Sequence, residues 1–359
     1  MRVLAVVPSI YDTSPGQRFR IEQWEPILRE SGVEIIYAPF ETEQLRSVLY
    51  GGGQIMAKIG AVTRSMKRRL NEMGSLADFD LIYLFREAAL LGPPWFERKM
   101  ARSDVPIVFD FDDAIFFSYK SPSNGYLSYL KFPAKTAEIC QLSAHVMAGN
   151  EFLADYARRT NQNVTIIPTT IDTNKYEFVE RAVQPDILTI GWSGSFSTVQ
   201  HLDTIRDILR ELAKTENFRL RVIGTPAYEL QGVDVEAVAW RSETEIEDLR
   251  YIDIGLMPLP ADNWSKGKCG LKALQYMALG IPTICSPIGV NSTIIRDGEN
   301  GFLAGSKAEW VDKIKLLIHS HQTRRKLGRA GRETVEREYS ARVIAPKVLD
   351  VFRSAKKAS

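Results

Sequence analysis

Only three cysteines occur in 359 residues, Cys140, Cys269 and Cys285, too few and too scattered to frame a disulfide scaffold or a zinc site. Their scarcity fits a reducing compartment. Histidine is equally sparse, at four, and nothing resembles a Ser-His-Asp arrangement. His145 and His201 sit in strand or helical contexts where a structural role is the commoner one. No run of eighteen apolar residues exists, so no membrane-spanning helix is expected. Low-complexity tracts and internal repeats are also missing. A net charge of +2 selects no partner, whereas a dedicated nucleic-acid binder is normally more basic. The opening MRVLAVVPSIYD carries one charge before Pro8, which reads as a buried first strand rather than a signal peptide. A cytoplasmic protein is the expectation.

What is present is an alternation of short apolar runs with helical patterns. Val3–Val7, Glu34–Tyr37, Leu81–Phe85 and Ile107–Phe111 read as strands, with a helix over Ile21–Ser31. After a polar stretch near 170–186 the pattern restarts. Strands are expected at Ile187–Trp192, Leu220–Gly224, Ile254–Pro258 and Thr283–Ser286, and helices at His201–Lys214, Leu271–Leu279 and Lys307–His319. Strand–helix alternation implies parallel sheets covered on both faces. The expected fold class is therefore α/β, with two Rossmann-like doubly wound domains, 1–175 and 176–359. A ligand is expected at the strand C-termini. The closing segment 341–355 is compatible with a return to the first domain.

The densest chemistry lies in KGKCGLKALQYMALGIPTICSPIGVN, residues 266–291. Lys266, Lys268 and Lys272 surround Gly267 and Gly270 where a helix begins at Leu271. Glycine lets a ligand approach the backbone, a helix start offers unpaired N–H groups, and lysine adds a mobile cation. Together they suit a diphosphate; a solvated basic loop is the alternative. Gln275 lies one turn beyond Leu271, where its amide can reach a ribose hydroxyl or simply face solvent. In IGWSGSFST, Ser193 and Gly194 follow a strand and precede a helix. They offer either donors to an anion or a tight turn with a helix cap.

These residues resemble the donor domain of the retaining family 4 glycosyltransferases. The likeness is carried by SAHVMAGNEFLADYARR and NVTIIPTTIDTNKY (143–176), ILTIGWSGS (187–195) and GLKALQYMALGIPTICSPIGVNSTIIRDGENGFLA (270–304). The resemblance implies a GT-B fold, a nucleotide diphosphate sugar as donor, retention at the anomeric carbon and no required cofactor or metal. It assigns 1–175 to the acceptor and 176–359 to the donor. Two departures stand out. Family members carry glutamates where this chain has Gly267 and Gln275, and an Arg and a Lys on the diphosphate where it has Trp192 and Val199–Gln200. Lys266, Lys268 or Lys272 are the candidate replacements. Trp240 and Arg241 are candidates to stack on or flank the base, with a core tryptophan as the alternative.

In the first half, PSIYDTSPGQRFR places Gly16, Arg18 and Arg20 after the first strand, and the resemblance brings this loop to the transferred sugar and phosphates. VFDFDDAIF ends a strand with Asp110, Asp112 and Asp113, of which Asp110 and Asp113 are the candidates for acceptor or sugar contact. Arg86 and Glu87 close another strand, with Arg86 able to neutralise the acids. Six basic residues between 45 and 71 (Arg46, Lys58, Arg64, Lys67, Arg68, Arg69) have no acidic counterpart there. A basic amphipathic helix over 55–70 can lie on an anionic membrane or be a solvated face. The function expected is sugar transfer from an NDP-sugar to an acceptor hydroxyl in bacterial polysaccharide or glycolipid synthesis, on a carbohydrate or lipid-linked acceptor. A silent nucleotide- or partner-binding protein and a nucleotide-sugar epimerase are the alternatives.

Overall fold

The computed structural model describes residues 1–49, 54–118, 132–179, 185–195 and 197–357. The chain divides into two compact units, the first Met1–Thr169 with Ile344–Ser359 and the second Thr170–Val343.

The first unit is built on a six-stranded sheet of β1 (Arg2–Val7), β2 (Glu34–Pro39), β3 (Leu81–Phe85), β4 (Ile107–Phe111), β5 (His145–Ala148) and β6 (Val164–Ile166), in the order β2-β1-β3-β4-β5-β6. Every described pairing is parallel. β3 and β4 are buried at all five positions, which is why they read as continuous apolar runs rather than alternating ones. The C-terminal helix Ala341–Lys357 places Phe352 against Tyr83, ring centroids 6.0 Å apart, and Lys356 on Asp80 at 2.8 Å.

The second unit repeats the plan with β7 (Leu188–Ser193), β8 (Phe218–Ile223), β9 (Asp234–Val238), β10 (Ile254–Met257), β11 (Thr283–Cys285) and β12 (Phe302–Leu303), ordered β12-β11-β10-β7-β8-β9 and again parallel. The strand order reverses direction beside β7, which puts a switch point at the C-terminal ends of β7 and β10. The helix expected over 201–214 is broken into Val199–Asp203 and Arg206–Leu212.

The basic helix is present as Ile55–Glu72, but part of its charge points inward. Arg69 is buried and donates to the carbonyls of Ala38 and Ala88 at 2.8 and 3.0 Å, while Arg68 reaches the carbonyl of Pro39 at 2.5 Å. These two arginines anchor strand ends, and Lys58 is buried as well. The exposed face carries Arg64 and Lys67, with Ile55, Met56 and Ile59 at its start. Among the described residues no helix is long and apolar enough to cross a membrane.

Backbone contact sets the turns at the switch point. Gly224, after β8, has φ +100°, and a Cβ there would lie 1.9 Å from the carbonyl oxygen of Gly194. Gly232 has φ +86° with open space around it. Gly224→Ala must therefore displace backbone as well as adopt a left-handed conformation, whereas Gly232→Ala meets only the second cost, roughly 1–2 kcal/mol. Urea unfolding should show Gly224→Ala losing at least about 2 kcal/mol more than Gly232→Ala. Equal losses would contradict the contact.

Candidate functional site

In the second unit the sequence-marked residues gather at the switch point. The helix Leu271–Ala278 opens at Gly270, whose φ of +73° and tight fit, with a Cβ only 2.3 Å from Ile294 Cδ1, demand glycine. The first turn of such a helix leaves its N–H groups without intrahelical acceptors. Lys272 Nζ lies 5.4 Å from the Trp192 ring and Lys268 Nζ 5.1 Å from the Trp264 ring, so aromatic faces hold two cations beside this helix start. Lys266 is exposed and donates to Asn263 Oδ1 at 3.2 Å.

The Ser193–Gly194 turn does not supply the anion donors expected of it. Ser193 N–H donates to the Tyr276 hydroxyl at 2.8 Å, Gly194 N–H to the Ile223 carbonyl at 2.9 Å, and Ser195 N–H to Thr198 Oγ1 at 3.1 Å. All three amides are engaged, by the helix at Leu271, by β8 and by the turn itself, and these bonds fix the end of β7. Burial pushes the Tyr276 hydroxyl well above its ordinary pKa, so it stays neutral as the acceptor for Ser193.

Gln275 is buried rather than solvent-facing, and its amide nitrogen donates to Glu245 Oε1 at 3.1 Å and to the Tyr176 hydroxyl at 2.9 Å. Glu245, also buried, further accepts from Trp240 Nε1 at 2.9 Å and from Tyr176 at 3.0 Å. Trp240 is thus tied by its indole N–H to Glu245, while Arg241 is exposed next to it. Glu245 and Tyr176 were not singled out from sequence. Their partners lie far along the chain, and only the acidic start of the helix Glu245–Arg250 hints at them.

The hub explains the departure at 275. A glutamine can give hydrogens to a buried carboxylate; a glutamate there would set two like charges about 3 Å apart. Gln275→Glu should lower stability at pH 8 by about 2–3 kcal/mol. The reciprocal pair Gln275→Glu with Glu245→Gln should recover more than half of it, a coupling read from a double-mutant cycle. Additive losses would contradict the hub.

In the first unit the acidic cluster divides. Asp110 is fully buried, its two oxygens accepting from Arg20 Nε at 2.7 Å and from Arg20 Nη2, with Tyr83 donating at 2.5 Å. Arg20 Nη1 also caps the Ile167 carbonyl at 2.5 Å. The Asp110 carboxylate holds the Arg20 guanidinium above its ordinary pKa against the effect of burial. With no exposed surface and a forked ion pair, Asp110 is a tie between β4 and the first loop and cannot touch an acceptor. Arg20 is equally withdrawn.

Asp112 instead sits with Arg86, at 2.6 Å, and this pair lies against Gly16: a Cβ at Gly16 would be 2.7 Å from Arg86 Nη2. Arg86 itself has φ +59°, an uncommon conformation for a side chain of its size. Asp113 accepts from Ala114 N–H at 3.0 Å, and Arg18 pairs with Asp12 at 2.7 Å. Glu22 braces the same loop through Gln17 and the Asp12 amide, and burial pushes its carboxyl up to about 7. Gly16, Arg86 and Asp112 thus come together, with Arg18 on the same loop, and Asp110 is excluded.

Residues 187–320 match the model of the family described as Glycosyl transferases group 1. A stretch of 77 residues is 40% identical to EpsD of Bacillus subtilis, covering 21% of this chain and 20% of that protein. Another of 103 residues is 30% identical to a D-inositol 3-phosphate glycosyltransferase of a Nocardioides species, covering 28% and 22%. The chain thus aligns with about a fifth of the length of each of these relatives. Two solved structures are similar over their full length. Sucrose-phosphate synthase from Thermosynechococcus elongatus has a TM-score of 0.73 at 15% identity, covering 100% of both chains. HepE from Anabaena, in complex with UDP-glucose, has a TM-score of 0.70 at 13% identity, covering 99% of this chain and 100% of that one. At such identities these likenesses speak for the fold. The chain has the GT-B class of fold, and within its second unit residues 187–320 are similar to the glycosyl transferases group 1 family.

Proposed function

We propose that the protein moves a sugar from a nucleotide diphosphate sugar to an acceptor hydroxyl, with retention at the anomeric carbon and no cofactor. The observation that carries this reading is the helix start at Gly270, flanked by Lys268 and Lys272 on their tryptophans, inside the family-matched segment. In this scheme Lys268, Lys272 and the first-turn backbone of the helix at Leu271 neutralise the diphosphate as it departs. Lys266 guides it from the exposed edge. Gln275, whose N–H groups are held by Glu245 and Tyr176, turns its carbonyl oxygen to a ribose hydroxyl as an acceptor. Trp240 and Arg241 flank the base. The HepE complex with UDP-glucose supports a donor of this class.

On the first unit, Arg18, Asp113 and the Arg86–Asp112 pair beneath Gly16 are assigned to the sugar and acceptor. Asp113 orients the attacking hydroxyl, replacing the buried Asp110. A bacterial envelope polysaccharide or glycolipid is the assigned destination. The exposed Ile55, Met56 and Ile59 beside Arg64 and Lys67 suit peripheral contact with an anionic membrane bearing a lipid-linked acceptor. The protein is then cytoplasmic, working at the inner face.

The test is release of free nucleotide from UDP-, GDP-, ADP- and dTDP-sugars, with proton NMR of the product's anomeric centre. One base should support release, faster with an acceptor, and Lys272→Ala should slow it by about 100-fold. No release with any donor would instead favour a silent binder. Interconversion of the donor without release would make the protein an epimerase.

A further inference from the structure

At the opposite ends of the strands of the second unit lies a cavity of about 200 Å³. It is smaller than the roughly 300–1,000 Å³ of sites for drug-sized ligands, so it selects a small one. Its floor is apolar, from Phe178, Ile252, Leu279, Ile281 and Pro282, with the Phe178 ring seated on Gly280. Arg250, Arg324 and Arg325 also line it, together with His321, Glu177 and Asp253.

The Asp253 carboxylate is partly spent, whereas Arg250 keeps a buried donor with no acceptor among the described residues. Asp253 accepts from Thr189 N–H at 2.8 Å. Arg324 is 6% exposed and gives Nη1 to the carbonyls of Leu317 and Ile318, and burial holds its guanidinium below the ordinary pKa, with Asp253 opposing. Arg250 Nη2 reaches the Glu177 carbonyl at 3.3 Å, while its buried Nε has no acceptor among the described residues. A buried guanidinium N–H without an acceptor is costly, and an oxyanion is the chemistry that would satisfy it.

The cavity also adjoins the hub around Glu245. Tyr176, Glu245 and Gln275 each begin a stretch that runs on to line it: Tyr176 precedes Glu177 and Phe178, the helix Glu245–Arg250 ends in Arg250, and the helix Leu271–Ala278 ends before Leu279. Eight helical residues span about 12 Å, so the phosphate cradle and the cavity sit at the two ends of one short rigid element.

We propose that this cavity binds a small organic oxyanion with an apolar body, and that its occupancy is coupled to nucleotide binding through the Tyr176–Glu245–Gln275 hub. The coupling rests on the donor-site reading given above; the binding does not. The oxyanion bridges Arg250 and Arg324 while the apolar body lies on Phe178 and Ile281. Any shift of Arg250 or Leu279 on binding is carried to the residues that hold Gln275.

Isothermal titration of the full chain with phenyl phosphate, benzoate and inorganic phosphate tests this. At least one of the first two should bind at one site and more tightly than inorganic phosphate, and which one it is assigns the ligand as a phosphate or a carboxylate. Arg250→Leu should weaken it at least about 10-fold, and the exposed Arg325→Ala provides a second variant that should weaken it should the first fail to fold. Lys272→Ala should leave it unchanged. Saturating oxyanion should shift the affinity for the nucleoside diphosphate by about 5-fold or more, and reciprocally. No binding, binding indifferent to both arginine variants, or binding lost in Lys272→Ala would overturn the site. An unchanged nucleotide affinity would overturn the coupling. Should no nucleotide bind at all, the donor reading fails, and the oxyanion titration still decides the cavity by itself.

Discussion

A buried carboxylate must be compensated, and the way Glu245 is compensated organises the second unit. Three donors converge on it, from Trp240 after β9, from Tyr176 at the entry to the unit and from Gln275 in the helix of the proposed cradle. Removing any one leaves charge or polar surface unpaired where solvent is excluded, which is far costlier than the net worth of one hydrogen bond. Segments 69 residues before and 30 residues after Glu245 are therefore held in one register by a single side chain. Because Glu245 already supplies the negative charge, the side chain at 275 must present a hydrogen donor to it.

The same economy appears in the first unit, where Asp110 is consumed by Arg20 and Tyr83 in joining β4 to the first loop. What that fixes in place is the Arg86–Asp112 pair against Gly16. Each unit thus commits one buried acid, Asp110 or Glu245, to its architecture. Parallel sheets make this possible, since their strand ends collect loops from distant parts of the chain at one edge.

Much of this was legible in the sequence. β1, β3, β4, β7 and β10 are largely buried on both faces and declare themselves as mainly apolar runs. β5 and β9 do not: one is four residues opening on a histidine, the other a half-exposed strand at the sheet edge with two acids in five residues. The helix start at Gly270 was legible because a glycine ahead of an apolar helical pattern marks a boundary. Asp110 was misread because a structural acid at a strand end looks the same as a functional one until its partner is known, and Arg20 lies 90 residues away. The Ser193–Gly194 turn misled similarly, since nothing local shows that Tyr276 takes the Ser193 amide. Glu245 escaped notice because two of its three donors, Tyr176 and Gln275, lie 69 and 30 residues away.

The central claim is that the helix start at Gly270 recognises a diphosphate rather than a nucleoside. Titrating the protein with the nucleoside, its monophosphate and its diphosphate for each base measures this directly. The account predicts that the diphosphate of one base binds at least about 10-fold more tightly than its monophosphate, and that Lys268→Ala erases this increment while leaving nucleoside affinity intact. Equal affinity for monophosphate and diphosphate, or an increment that survives Lys268→Ala, would contradict it.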